Sequence, residues 1–534
     1  MKHRRMALIA VGAMLVGAGC TSGSDDGQTG PTSPEIADST SASTASDSTA
    51  STASPTTAPR ATPPATTAAP TTVPEPARSA VDLDDVAVAP IPAGAGVAQS
   101  TATVERGDDT GALPTLSPAY VETEYLLSGS ADTYTGSVVG TPEVGTEETP
   151  YTTRLLVRRP ADAADFSGRV VLEPFNTSGT ADVDALWTRI GPLLESNGDA
   201  WVAVTDRATG AAENVAFDPI RYADLDLPTN DFAWDILRQV GGLIKEGNEQ
   251  SPLHDLQVNH LYLGGYSQSA VETAAFASAF HESTRMDDGS PIFDGYLPAA
   301  RSASLTQLQS GDAPLPGFEF AAMSPVDVPV IDIETQSDVE GFEAELNGVV
   351  VYTNPGAATV RRADSDIPSD LFRLYELPGS PHANRIPSCD GDGSTFPTAY
   401  FVQAAATLLF AWAEDGVAPP HAPPIDLDVT DVVSVAAVDD VGNATGGIRS
   451  PFLDTPTARY EVHAAPGPLC KLGGVETPLP ADALTARYGD VAGYLEEFTA
   501  SLDATIGAGF LLERDRDAII ETARTRATEL FGPS

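Results

Sequence analysis

The chain has 534 residues, 42% hydrophobic and 19% charged, so it can bury a large core and is neither wholly disordered nor collagen-like. Lys and Arg total 29 against 75 Asp and Glu, a net charge of −46, which argues against nucleic acid as a partner and against charge-driven docking on anionic membranes. Three cysteines are too few for a disulfide-framework miniprotein or a Cys-rich zinc or iron–sulfur module.

The first residues read as an export signal. Met1-Lys2-His3-Arg4-Arg5 is basic, and Ala7 to Gly19 is an apolar run too short to span a bilayer. It ends in Gly17-Ala18-Gly19-Cys20, which resembles a bacterial lipobox with Gly17 where Leu is usual. On that reading Cys20 carries the lipid, becomes the first mature residue and anchors an exported chain to the membrane, outside the cytoplasm. The competing reading is an ordinary secretory signal with an incidental Cys. Residues 21–80 are mostly Ser, Thr, Ala, Pro, Gly and Asp. They cannot bury enough apolar surface to offset their ordering entropy, so a disordered stalk is expected.

The folded part is expected over 81–534, with no internal repeat. In chain order, Thr152–Arg159, Arg169–Pro174, Ala200–Thr205, His260–Gly264, Val328–Ile333 and Leu371–Glu376 read as strands. Ala181–Asn197, Asp231–Glu246, Ala270–Phe280 and Thr398–Glu414 read as helices, the first with Leu186, Ile190, Leu193 and Leu194 on one face. Strands alternating with helices predict an α/β fold, a mostly parallel sheet with helices on both faces. A catalytic core of about 150–416 would carry an N-terminal extension and a C-terminal one over 417–534, the latter with helices over Asp482–Tyr494 and Arg514–Leu530.

The chemistry concentrates where His260–Gly264 runs through Gly265-Tyr266-Ser267-Gln268-Ser269 into a small-residue helix. This is the strand–turn–helix setting of a nucleophile elbow, which needs small residues two before and two after the central Ser. Gly265 and Ser269 fill those places, Ser269 standing where a second Gly is usual. A bare Gly-Ser turn is the alternative. Ser267 would need a general base and an acid to orient it. Asp338 follows a strand in Glu334-Thr335-Gln336-Ser337-Asp338, with Glu334 as the rival acid and plain surface charge as the alternative for both. His382 follows another strand in Leu377-Pro378-Gly379-Ser380-Pro381-His382, and of the seven His it alone has both the chain order and the loop setting. The N–H of Gln268 and a donor from the Asn176-Thr177-Ser178 loop would form the oxyanion hole, with Thr177 or Ser178 donating and Asn176 bracing. An Asn-Thr-Ser-Gly turn without chemistry is the other reading.

If Cys20 is lipidated, Cys389 and Cys470 are the thiols of the folded part, and export favours a disulfide between them over two buried thiols. Such a bond would tie the C-terminal extension to the loop after His382. Asp390-Gly391-Asp392 reads as a turn because it lacks the remaining ligands of a calcium loop. No HExxH or CxxC occurs, and neither a metal nor an organic cofactor is implied.

Taken together, Tyr151–Pro160, Gly168–Asn176, Gly264–Ser269, Phe293–Pro298, Gly442–Arg449 and the Cys470 segment resemble the bacterial alpha/beta hydrolase domain group, over roughly residues 115–530. The resemblance implies an α/β-hydrolase fold and hydrolysis through a Ser nucleophile. It does not imply a substrate. Where that group often has Glu two places before the acid, this chain has Gln336, which favours Asp338. The expected activity is cleavage of a small carboxylic ester. A non-catalytic binding lipoprotein and an envelope acyltransferase with the same triad are the rival functions.

Overall fold

A computed structural model describes residues 79–532, apart from 93, 100–115, 310–316, 347–348, 355, 387–388, 390–392, 430–433 and 464–469. The signal segment with Cys20, the stalk up to residue 78 and the Asp390–Asp392 turn lie outside the described residues. Ser79 and Ala80, at the end of the expected stalk, already pair in parallel with Thr284 and Arg285.

Ten strands form one sheet among the described residues: β1 Ala87–Pro90, β2 Tyr120–Ala131, β3 Thr149–Pro160, β4 Arg169–Pro174, β5 Ala200–Val204, β6 His260–Tyr266, β7 Gly295–Ala299, β8 Val330–Thr335, β9 Ser365–Ile367 and β10 Asp370–Leu377. Across the sheet the order is β9-β10-β8-β7-β6-β4-β5-β3-β2-β1. The six strands β10, β8, β7, β6, β4 and β5 run parallel. Antiparallel strands flank them on both sides. The N-terminal extension is therefore part of the sheet itself: β2 pairs with β3 over twelve residues on each strand.

The helices are α1 Trp187–Asn197, α2 Ala208–Phe217, α3 Ala233–Glu246, α4 Gln268–Phe280, α5 Gln336–Val339, α6 Thr398–Asp415, α7 Pro451–Asp454, α8 Ala481–Tyr488, α9 Val491–Gly507 and α10 Arg516–Phe531. Successive strand residues point to opposite faces, and that alternation splits the core in two. Leu155, Val157, Val170, Leu172, Leu261 and Leu263 pack under α3 and α4. Leu156, Val171, Trp201 and Tyr262 pack under α1, α6 and the C-terminal helices. The C-terminal extension thus shares one apolar core with the sheet. Each such buried aliphatic side chain contributes roughly 1.5–3 kcal/mol. No helix of the described residues is long and apolar enough to cross a membrane.

Two helices depart from the sequence pattern. The first starts at Trp187, not Ala181, because the residues before it have other partners. Val183 bridges back to Asn176, Asp182 binds Arg154, and Asp184 binds Arg158. Glu173, wholly buried at the end of β4, then accepts from the N–H groups of Leu186 and Trp187 and from Trp201 Nε1. The Asp482–Tyr494 stretch is two helices, α8 and α9, not one. Gly489 leaves the helix with φ 80°, and Asp490 caps α9 by accepting from Gly493 N.

Burial pushes the Glu173 carboxyl up to about 8, against the pull of its three N–H donors. Stability from this group is full below its free value of 4.5 and falls as pH rises through about 8. Denaturant titrations should show stability falling between about pH 4.5 and 8 and levelling off above, and Glu173→Gln should flatten that fall. Glu173→Ala should cost about 3 kcal/mol at neutral pH, since buried N–H donors lose their acceptor.

Candidate active site

The parallel strands deliver their following loops to one edge of the sheet, the carboxyl edge, where open α/β sheets place their sites. β6 meets α4 there with a single residue between them, Ser267, at φ 64° and ψ −124°. A non-glycine residue seldom adopts that backbone, and such strain clusters at functional sites. It is held locally. A Cβ on Gly265 would come within 2.4 Å of the Ser269 carbonyl, so residue 265 must be glycine for the helix to pass. Ser269 Oγ accepts from Tyr266 N (3.0 Å) and donates to Tyr266 O (3.1 Å), so the residue standing in for the usual second Gly fastens the turn. Ser267 N donates to Ala299 O at the end of β7.

Ser267, His382 and Asp338 are brought together. His382 Nε2 lies 2.8 Å from Ser267 Oγ, and His382 Nδ1 lies 2.9 and 3.2 Å from the two Asp338 oxygens. With the proton on Nδ1 toward the carboxylate, Nε2 can accept from the serine hydroxyl. Asp338, expected in a loop, sits in the one-turn helix α5 and is buried. It also accepts from Ser302 Oγ (2.7 Å) and Thr335 Oγ1 (2.5 Å). Burial raises its carboxyl, but His382, Thr335 and Ser302 outweigh that and hold it below the usual carboxylate range.

Glu334 makes no contact with His382. Its two oxygens accept from Ser302 N and Ala303 N, each at 3.0 Å. Burial, with Asp332 and Asp338 nearby, drives its carboxyl well above the usual range. The two acids are thus pushed apart in acidity, and the one left charged is the one facing the imidazole. Glu334 instead secures a turn in which Ala300, Ser302 and Ala303 all have positive φ.

The histidine segment is fixed on several sides. Tyr266 OH donates to His382 O (2.8 Å). Gly379 N donates to Gln336 Oε1 (2.6 Å), while Gln336 Nε2 donates to Glu340 (2.7 Å). A Glu at 336 could not make that second bond when ionised. Ala383 N donates to Leu472 O and Gly474 N to Ala383 O, and Cys389 and Cys470 form a disulfide. The C-terminal extension therefore walls the segment that carries His382.

In the loop after β4 both expected donors already have acceptors. Thr177 N donates to the Gln268 side chain (2.8 Å) and Ser178 N to Asn176 Oδ1 (3.0 Å), so neither N–H is open. Asn176 does tie the loop to the elbow, through Nδ2 to Tyr266 O. Gln268 is oriented by Glu272, which also pairs with buried Arg207. The N–H of Gln268 itself, first in α4, is one that a helix cannot satisfy internally.

Ser302, Thr335, Tyr266 and Glu272 were not expected from the sequence: Ser302 and Tyr266 reach Asp338 and His382 from far away in the chain, while Thr335 and Glu272 bond Asp338 and Gln268 from three and four residues away. The one grouping of possible metal ligands among the described residues, His281, Glu282 and Asp327, already has the Arg285 guanidinium 3.0 Å from Asp327.

The family model described as alpha/beta hydrolase domain matches residues 87–521. The chain matches no curated protein. Similar solved structures include an α/β serine hydrolase without a lid from Xanthomonas campestris, at 15% identity over 52% of this chain and 94% of that one, TM-score 0.28. Another is an α/β serine hydrolase homologue from Coxiella burnetii, at 13% identity over 46% and 86%, TM-score 0.23. A third is brefeldin A esterase, a bacterial homologue of human hormone-sensitive lipase, at 18% identity over 36% and 42%, TM-score 0.21.

The disulfide spans 81 residues of sequence. Replacing both cysteines by Ser should lower stability by about 4 kcal/mol, seen as a lower thermal midpoint that matches the wild type measured in reductant.

Proposed function

Because this chain belongs to the alpha/beta hydrolase domain family, we propose that it is a serine hydrolase that cleaves carboxylic esters through an acyl-enzyme. The observation that carries the reading is the continuous relay from Ser267 Oγ through His382 to buried Asp338. His382 takes the proton of Ser267 as its Oγ attacks the ester carbonyl. Asp338 holds the imidazole in the required tautomer and balances the charge that forms. The developing oxyanion is met by the Gln268 N–H and, once the carbonyl oxygen displaces Gln268 Oε1, by the Thr177 N–H. His382 then protonates the leaving alcohol, and water attacks the acyl-enzyme with His382 again as base. Esters suit the site better than amides because the alcohol needs less help to leave.

The same reading places the enzyme outside the cytoplasm, held to the membrane by lipid on Cys20. The Cys389–Cys470 bond supports export, since disulfides persist in oxidising compartments. The substrate is a small molecule, and a chain of net charge −46 is a poor match for nucleic acid.

A fluorophosphonate, followed by intact-mass measurement, should add one adduct to the wild type and none to Ser267→Ala. A folded wild type that takes no adduct would overturn the proposal. Asp338→Asn should cut kcat roughly 10³- to 10⁴-fold with KM little changed. Glu334→Gln should act mainly on the thermal midpoint; a loss of kcat as large as that of Asp338→Asn would reassign the acid.

A further inference from the structure

We propose that Arg189 is the subsite for a carboxylate carried by the substrate, so that the preferred ester is anionic. The proposal rests on the serine-hydrolase reading and narrows its substrate class. Arg189 lies in the first turn of α1, directly after the loop that follows β4, and so at the same sheet edge as Ser267. Its guanidinium carbon stands 3.2 Å from the centre of the Tyr266 ring. Tyr266 precedes Ser267, donates its hydroxyl to His382 O (2.8 Å), and has its ring 5.7 Å from the His382 ring. A positive charge therefore sits one aromatic ring away from the imidazole.

That charge is unusual in this chain. Acids outnumber bases 75 to 29, and the arginines of the described residues have a carboxylate within 4.0 Å, with two exceptions, Arg189 and Arg385. Arg385 is exposed, whereas Arg189 is half-buried against the elbow. Of the five N–H donors of a guanidinium, one is spent on Ala185 O (2.7 Å). The contact with the Tyr266 ring uses none of the group's remaining N–H donors, the fork that matches a carboxylate with two parallel hydrogen bonds. A cation that only braced the tyrosine would gain from an acidic neighbour, and a chain this acidic could readily supply one. Its absence leaves the edge for a ligand.

The test compares two p-nitrophenyl esters of equal chain length, the hemiglutarate and the neutral pentanoate. The wild type should favour the hemiglutarate at least about tenfold in kcat/KM, mostly through KM, the size expected of one charge-assisted pair. Arg189→Gln should erase that preference, and Arg189→Lys should keep part of it. A wild type with no preference, or an Arg189→Gln variant that loses both esters by the same factor, would overturn the subsite and leave the serine-hydrolase reading standing. A wild type that turns over neither ester and takes no fluorophosphonate removes both readings together.

Discussion

The whole arrangement hangs on the backbone of Ser267. An L-residue at φ 64° between a strand and a helix is strained, and the surrounding chain is organised to hold it there. Gly265 lets α4 cross β6 at a distance no side chain permits. The Ser269 hydroxyl closes the turn on both sides of Tyr266, and Ala299 O at the end of the neighbouring strand receives the Ser267 N–H. Because the serine is presented at the end of a strand in a parallel sheet, everything that must meet it can arrive from the ends of neighbouring strands.

Buried charge plays a second organising role. An acidic protein is expected to keep its carboxylates in water, but many here are structural. Arg154 joins Glu124 to Asp182, Arg158 joins Glu122 to Asp184, and Arg301 binds Asp332. The first two pairings bring the antiparallel strands β2 and β3 to the segment before α1. They hold the end of the loop that carries Asn176 and Thr177. Buried pairs of this kind are poor sources of net stability, but removing one partner leaves an uncompensated charge, so they penalise alternative packings.

Much of this was legible. The strands read from β-branched runs end within three residues of those observed, because a strand buried on both faces leaves a short apolar signature. The elbow, Asp338 and His382 were legible because chain order and strand ends constrain them. Most of what the pattern missed turns on partners distant in sequence. The stretch before Trp187 has helical spacing, yet Asp182, Val183 and Asp184 are claimed by Arg154, Asn176 and Arg158. Thr177 and Ser178 look like free donors until Gln268 and Asn176 are seen to accept from them. The two-residue break at Gly489-Asp490 was readable, since a glycine followed by a capping Asp is a stop and a start. Arg189 carries no signal in the sequence at all; only the fold shows that it stands over Tyr266.

The Ala383–Gly473 bridge gives the chain a temporal order. Every strand of the main sheet is complete by residue 377, yet the wall behind His382 comes from residues 470–474. A chain that emerges from its N-terminus can therefore assemble its sheet and its serine elbow well before the histidine segment has its final support. The histidine segment waits for all but the last sixty residues and for the pairing of Cys389 with Cys470. Support for the His382 segment is in this way among the last features of the chain to be put in place.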